Sequence, residues 1–515
     1  MVGHVFVMRG DLMALACDAW LAPGGHTPGA TWRGALAPVP EAPHPAGWGE
    51  PGGPRVMPWP PVDAGPGASQ PFLTFLAGTN RHGADWHVAG AREFVRVAAA
   101  QVKARPPRHG RARHLLALPL VGTGHGGAGH LAGNVVRLLL GALREEAAAH
   151  DVDLALVVHD GPAFAAAQVE RLACEDEAFS ALSPALRAAA DTLAEKAQAG
   201  DLVLFIGAGV SQAAGLPSWN ALLADLAEQR GRIVELEALG RLGELDRAAI
   251  IQRRLPGGEA LGDVVAGHLR ERSTHHALGH GLLASLPVDE VVTTNYDDLF
   301  ERASSAMGRA VTVLPAGQAA RGERWLLKLH GCITRPGSIV LTREDYLRFQ
   351  ENHSALAGIV QSLLITRHML FVGFSFTDDN FHRIAHAVRQ ALRQSGGVGE
   401  GGRFGTTLVV NPNPLARELW RDDIEWLAFD EGPGGPARLL AEQARLLDIF
   451  LDRLAARAVT STGHLFDLRY EAVLSPAERE LRRRLEAFVA GAGEDLRATP
   501  AWREVERMLR RLGRD

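Results

Sequence analysis

The sequence predicts an α/β protein built on parallel sheets, in more than one domain. Three observations predict it. Short apolar runs recur along the chain, each ending in Gly, Ser, Asn, His or Asp, as strands do when their carboxyl ends face a ligand. Segments of helical period lie between them. With 515 residues the chain is too long for one core, and two or three domains are expected.

In chain order, Val5 to Leu12 reads as a short strand closing on Gly10 and Asp11, and Ala16 to Ala22 as a second strand. Pro23 to Gly67 is dense in Pro and Gly and reads as a long irregular insertion. Phe72 to Ala77 and Leu115 to Leu120 are further strands, the latter running into the glycine-rich Val121 to Gly127 with Gly122, Thr123 and Gly124. Trp86 to Lys103 and Leu131 to His150 are helical, and a strand at Leu154 to Val158 completes a first unit, residues 1–172. An Ala- and Leu-rich helix from Glu175 to Gln198 links it to the next.

The rest of the chain is organised around Asp201 to Ser211. Leu202 to Ile206 reads as a buried parallel strand ending in Gly207-Ala208-Gly209, after which a helix starts with Ser211 placed to cap it. Two glycines let backbone N–H groups approach a pyrophosphate at the positive end of a helix dipole. The spacing is G-x-G, half of a dinucleotide-binding fingerprint. Gly215-Leu216-Pro217-Ser218-Trp219 follows, then a helix to Gly231 and several short helices from Ile233 to Arg272. Thr274-His275-His276 places two histidines on different faces, a poor metal pair read as solvated or capping.

Three later strand ends carry chemistry-bearing residues: Asn295 and Asp297 after Val291 to Thr294, His330 after Trp325 to Leu329, and Gly373 and Ser375 after Met369. The run Asp378-Asp379-Asn380 is expected to cap the next helix. Thr407 to Asn411 gives a last core strand with Asn411 at its end, and Trp426 to Phe429 an edge strand. Pro436 to Ala458 is helical, and Ser475-Pro476-Ala477-Glu478 is a helix start with Ser475 as N-cap.

The order and spacing of Gly-Ala-Gly-x-Ser, Gly-Leu-Pro-Ser-Trp, Thr-Thr-Asn-Tyr-Asp, Lys-Leu-His-Gly and Gly-Phe-Ser resemble the Sir2 (sirtuin-like) family over Leu182 to Phe429. They look most like its divergent bacterial branch in anti-phage defence proteins, whose members hydrolyse NAD. That resemblance implies a Rossmann-like domain over residues 173–432. It makes His330 and Asn295 the catalytic pair, and Gly207, Ala208, Gly209, Ser211, Pro217, Trp219, Asn295, Asp297, Gly373, Ser375 and Asn411 the NAD contacts. The first unit is similar to the macro domain, an ADP-ribose-binding module. Gly10-Asp11-Leu12 matches its early acidic motif, and Leu118 to Gly124 its phosphate loop, which makes Asp11, Gly122, Thr123 and Gly124 ligand contacts. The family's Asn-rich segment is replaced by Leu21-Ala-Pro-Gly, so binding is expected there rather than catalysis; a scaffold for packing or oligomerisation is the alternative. Residues 433–515 are expected to form a small helical unit.

Composition narrows the remaining classes. With 46% hydrophobic and 22% charged residues the chain is that of an ordinary soluble globular protein, and a formal charge of −5 gives no reason to expect nucleic acid. Three cysteines, Cys17, Cys174 and Cys332, fit a reducing cytoplasm and rule out a four-cysteine zinc site. No metal is expected. The N-terminus lacks a basic n-region and is not read as a signal peptide. No run approaches the roughly 20 apolar residues of a membrane span.

The expected reaction cleaves the bond between nicotinamide and ribose. A neutral imidazole, with an ordinary pKa of about 6.5, suits a general base at the ribose hydroxyls. An amide can hold water or the ribose without adding charge. The main reading is an NAD hydrolase acting in anti-phage defence, forming homo-oligomers and gated by an ADP-ribose-like nucleotide or a partner protein. The alternatives are an NAD-dependent protein deacylase and a non-catalytic nucleotide-sensing module.

Overall fold

The apolar runs become strands in the computed structural model, which describes residues 2–36, 44–60, 68–76, 83–124, 126–394, 404–429, 439–459 and 462–514. Two units result, Met1–Arg187 with Ala455–Asp515, and Ala188–Leu454.

In the first unit β1 (Val5–Arg9), β2 (Ala19–Gly24), β3 (Val56–Pro58), β4 (Gln70–Phe75), β5 (Leu115–Pro119) and β6 (Asp153–Val158) form a sheet of order β1-β6-β5-β2-β4-β3. All pairs are parallel except β3–β4. Helices α1 (Ala84–Val102), α2 (Ala132–His150) and α3 (Gly161–Leu172) cover it, their apolar stripes packing Phe94, Val136, Leu139 and Phe164 against strand residues such as Leu116 and Leu156. The second strand begins at Ala19 rather than Ala16. The buried Asp18 carboxylate there accepts the N–H groups of Leu115 and Arg108 and holds the chain in a turn. Residues 37–43 and 61–67 of the Pro/Gly-rich insertion lie outside the described residues, but the insertion carries β3, a strand that period-2 patterning could not reveal in three residues.

The helix expected from Glu175 to Gln198 is two: α4 (Glu175–Ala178) and α5 (Pro184–Ala199). Pro184 has no N–H to continue a helix and instead starts a new one.

The second unit has a seven-stranded sheet of β7 (Leu202–Ile206), β8 (Glu290–Thr293), β9 (Thr312–Leu314), β10 (Trp325–Lys328), β11 (His368–Val372), β12 (Gly405–Val409) and β13 (Ile424–Ala428). Its order is β13-β12-β11-β7-β8-β10-β9, parallel at every pairing. This is the parallel α/β architecture that the strand pattern predicts, with β13 at the expected edge. The chain reverses direction about β7, so a crevice opens at its carboxyl end between β8 and β11. Short helices α6 (Ala208–Gln212), α7 (Trp219–Gln229), α8 (Leu236–Gly240), α9 (Glu244–Arg254) and α10 (Leu261–Arg272) follow β7. Their core of Leu222, Leu226, Ile251 and Val265 also takes in Leu299 and Ile333, which flank the strand ends of the crevice. Helices α11 (Leu278–Ser285), α12 (Leu299–Ala306), α13 (Arg343–Leu347), α14 (Phe349–Thr366), α15 (Asp379–Gln394) and α16 (Pro414–Trp420) complete the layers.

Helix α17 (Leu440–Arg457) runs where a helix from Pro436 is expected; Pro436 itself lies outside the described residues. Beyond it, Tyr470 sits in a 3-10 turn, Leu468–Val473, against α2 and α3. Gly133 on α2 makes room: a Cβ there would lie 3.0 Å from Tyr470 Cα. Ser475 caps α18 (Pro476–Ala490) as expected, with Glu478 reaching back to the Ser475 N–H at 2.8 Å. Helices α19 (Glu494–Arg497) and α20 (Pro500–Arg511) close the chain, packed around Trp502.

Candidate functional site

Sheet register alone brings the candidate residues together. Ile206 pairs with Thr293 on one side and Val372 on the other, and Lys328 pairs with Thr293. The residues just beyond these, Gly207, Asn295, His330 and Gly373, therefore emerge side by side at the carboxyl ends of β7, β8, β10 and β11.

The turn after β7 is built on close backbone approach. Gly207 N–H donates to Val372 O and Gly209 N–H to Gly373 O, both at 2.9 Å. A Cβ on Gly207 would stand 2.3 Å from Gly373 O, and Gly373 holds φ +67, the left-handed region that favours glycine. Ala208 and Gly209 are exposed at the head of α6. Gly207, not Ser211, is the N-cap of that helix. The helix starts four residues earlier than expected, which turns the Ser211 side chain inward.

Buried there, Ser211 Oγ donates to Asp297 Oδ2 at 2.9 Å and lies 3.3 Å from His280 Nε2. Asn295 Nδ2 donates to Gly207 O at 3.1 Å and Ser211 Oγ at 3.2 Å. Asn295 is 9% exposed, and its Oδ1 is buried with no hydrogen-bond partner. Asp297 also accepts the Leu299 N–H through Oδ1, so it braces the loop just ahead of Asp298, the N-cap of α12. Lys328 pairs with Glu301 at 2.8 Å and donates to the Asp297 carbonyl. Burial works most strongly against its ammonium, but Glu301, Cys332 and Asp297 together outweigh it and raise the Lys328 pKa.

His330 is 4% exposed, ringed by Tyr346 and Phe349. Its Nε2 lies 3.6 Å from Asp378 Oδ2 and 3.5 Å from Asn380 Nδ2. Asp378 is fixed on both oxygens: Oδ1 takes the Phe381 N–H and Oδ2 the Tyr346 hydroxyl, each at 2.8 Å. Burial lowers the His330 pKa, Asp378 opposes it and His353 adds to it. The imidazole is thus neutral at neutral pH. Sequence reading gave Asp378 only the capping role; the structure adds its approach to His330. Asn380, read only as part of the same capping run, also approaches His330; Tyr346 and His280 were missed, since nothing local marks them.

The other candidates are spread more widely. Pro217 and Trp219 are half-buried, with Trp219 6.1 Å ring to ring from Tyr296. Ser375 is exposed and pairs with Thr377. Asn411 is exposed beyond β12 at φ +57, its N–H donating to Gln443. His276, expected to be solvated or capping, is buried, its Nδ1 3.1 Å from Ala277 O, while His275 pairs with Thr274. In the first unit Asp11 Oδ1 accepts the Met13 N–H. Gly122 holds φ +83 against the His87 ring, Thr123 donates to Leu120 O, and Gly124 is exposed. Among the described residues, no group of three His, Cys, Asp or Glu could hold a metal ion, and no helix is long and apolar enough to cross a membrane.

Residues 289–421, which include Asn295, His330 and Gly373, match the SIR2-like domain family. The chain is 32% identical over 212 residues to the NAD(+) hydrolase ThsA of Enterococcus faecium, covering 39% of this chain and 42% of that protein. It is 29% identical over 198 residues to the NAD(+) hydrolase ThsA of Cytobacillus dafuensis, covering 38% and 39%. To the Defense-associated sirtuin 2 of Bacillus subtilis it is 27% identical over 215 residues, covering 39% and 21%. The match thus spans less than half the length of each relative.

Proposed function

We propose that this chain, which carries a SIR2-like domain, is an NAD hydrolase that turns NAD+ and water into nicotinamide and ADP-ribose. The observation that carries the reading is the meeting of a buried amide with an unpartnered acceptor, Asn295, and a buried neutral imidazole, His330, beside a glycine turn at the sheet's switch point. The names of the relatives support it.

The chemistry follows. Nicotinamide leaves with the electron pair of its bond to the ribose, and it leaves uncharged. A water oxygen bonds to the ribose carbon, and its proton passes to a base. His330, neutral through burial, takes that proton or the proton of a ribose hydroxyl. Asn295 accepts a hydrogen bond from the water or the ribose and orients it. Ala208 and Gly209, at the exposed head of α6, face the pyrophosphate, with Gly207 shaping the turn; Gly373, Ser375 and Asn411 serve the adenosine side and Asp297 the nicotinamide end, and Pro217 and Trp219 complete the NAD contacts.

In the same proposal residues 173–432 are the catalytic domain, residues 1–172 a macro-like sensor of an ADP-ribose-like nucleotide through Asp11, Gly122, Thr123 and Gly124, and residues 433–515 a helical region. The enzyme works in the cytoplasm as a homo-oligomer with a nucleotide or partner as its gate, and depletes NAD in anti-phage defence; the name Defense-associated sirtuin 2 supports that role.

The test is NAD with purified protein, alone, with ADP-ribose and with an acetylated peptide, beside His330→Ala and Asn295→Ala. Nicotinamide and free ADP-ribose from the wild type alone support the hydrolase. Acyl-ADP-ribose formed only with the peptide replaces it with a deacylase. NAD left intact under every condition removes the enzymatic reading.

A further inference from the structure

His280 is buried in the apolar helix α11, at 1% exposure, and no step of the proposed reaction uses it. Its hydrogen bonds fix which nitrogen carries the proton. Nδ1 accepts the backbone N–H of Ala277 at 3.2 Å, and a backbone N–H can only donate. Nδ1 is therefore bare, and in the neutral ring the proton sits on Nε2. Burial holds the ring neutral, pushing its pKa down to about 3, with His276 adding to the effect.

The consequence runs outward from that proton. Nε2–H faces Ser211 Oγ at 3.3 Å, so the hydroxyl accepts there. The Ser211 hydrogen goes to the Asp297 carboxylate, which can only accept. The second lone pair of Ser211 then takes the Asn295 amide N–H. The other Asn295 N–H meets the Gly207 carbonyl, which forbids the flipped amide, since that would set two oxygens face to face. Both amide hydrogens are spent on protein. The oxygen alone is left, buried and without a partner.

We infer that His280 is a positioning residue which, through Ser211, locks Asn295 as a pure hydrogen-bond acceptor toward the substrate, a water or ribose hydroxyl being the donor it receives. The inference rests on the NAD reading of the site. It goes further in naming His280 and in fixing which end of the amide the substrate meets. Without the Nε2–H donor, Ser211 Oγ keeps Asp297 and Asn295 but loses the third contact that fixes its position, and the alignment of the amide it receives loosens. A loss of alignment at a reacting group lowers the rate of the chemical step more than it lowers binding.

The experiment is single-turnover cleavage of NAD and calorimetric NAD binding by four proteins: wild type, His280→Leu, Asn295→Ala and the double variant, with His280→Gln as a fifth and melting recorded for each. His280→Leu keeps the volume and removes the donor. It should lose about tenfold or more in cleavage rate with NAD affinity within about twofold. The double variant should be no slower than Asn295→Ala, because both act through one amide. Gln carries an N–H donor and an acceptor, so His280→Gln should recover most of the rate. An unchanged rate in His280→Leu overturns the inference, as does a further full loss in the double variant or a loss that tracks melting alone. Should the wild type bind NAD without cleaving it, the catalytic reading falls and the same cycle is read in affinity. Coupling between His280 and Asn295 there upholds the inference, and additivity overturns it. A wild type that does not bind NAD overturns both.

Discussion

Asp378 sets one carboxylate oxygen 3.6 Å from His330 Nε2 while Tyr346 holds that same oxygen at 2.8 Å. The acid and the imidazole are 48 residues apart and meet only because β10 and the loop after β11 end at the same crevice. The carboxylate faces the imidazole and offsets part of the burial that lowers the His330 pKa. Asp378→Asn should therefore slow nicotinamide release by about 10- to 100-fold, within the usual range for a lost acid–base contribution. It should also move the acid limb of the pH–rate profile to lower pH, since the group that raises the His330 pKa is gone. Tyr346→Phe keeps the charge and should cost less. A pH–rate profile unchanged in Asp378→Asn would separate Asp378 from the base.

Acid stability should report the same burial. His280, His330, His368 and His464 all have pKa values lowered, by burial first, His280 to about 3 and His368 to about 4. Each takes its proton more readily in the unfolded chain, at about pH 6.5. Their contribution is present above that pH. It is lost as pH falls from about 6.5 toward the folded values, at up to about 1.4 kcal/mol per pH unit for each group. The melting temperature should drop steadily from pH 7 to pH 4.5, and the drop should be shallower in His280→Leu. A flat profile over that range would mean that these rings charge without penalty.

The glycine turn gives a steric prediction. Gly373→Ala puts a Cβ 2.6 Å from Val210 N at φ +67, and Gly207→Ala puts one 2.3 Å from Gly373 O. The left-handed backbone alone costs about 1–2 kcal/mol, and backbone-to-backbone overlap adds to it. Both variants should melt lower than wild type and, on the proposed NAD reading, bind NAD more weakly, because the displaced backbone borders the crevice at the carboxyl ends of β7 and β11. Gly267→Ala, within α10 where a Cβ would meet nothing within 4 Å, should do neither. Calorimetric titration with NAD beside thermal melting distinguishes the three.

Much of this was legible in the chain. Five successive apolar residues before Gly207 mark β7, and Asn295 and His330 stand out because polar residues at strand ends are exceptions to the apolar pattern around them. Other features left no local trace. The three-residue strands β3 and β9 are too short for alternation to show. His280 in an apolar helix reads as core, and its role depends on a contact 69 residues away. Asp378 satisfies a helix cap, a local explanation that hides the longer-range one. Serine is a common cap, and that is the local reading of Ser211; only the position of Gly207 against β11 shows the helix starting earlier.

The pair Lys328–Glu301 is the strongest stability prediction. Lys328 is 2% exposed, pairs with Glu301 at 2.8 Å and also donates to the carbonyl of Asp297. Two buried charges offset each other's desolvation, so removing one leaves the other stranded. Lys328→Met keeps the stem's packing but strands the Glu301 carboxylate, and should cost about 3–5 kcal/mol. Lys328→Met with Glu301→Leu removes both charges and should recover most of that loss. NAD cleavage should recover less, because Asp297 still lacks the ammonium that holds its carbonyl while its carboxylate braces Ser211. Melting and turnover measured on the single and double variants decide it: if the two recover in parallel, Lys328 acts only on stability and not on the geometry of the Asn295 loop.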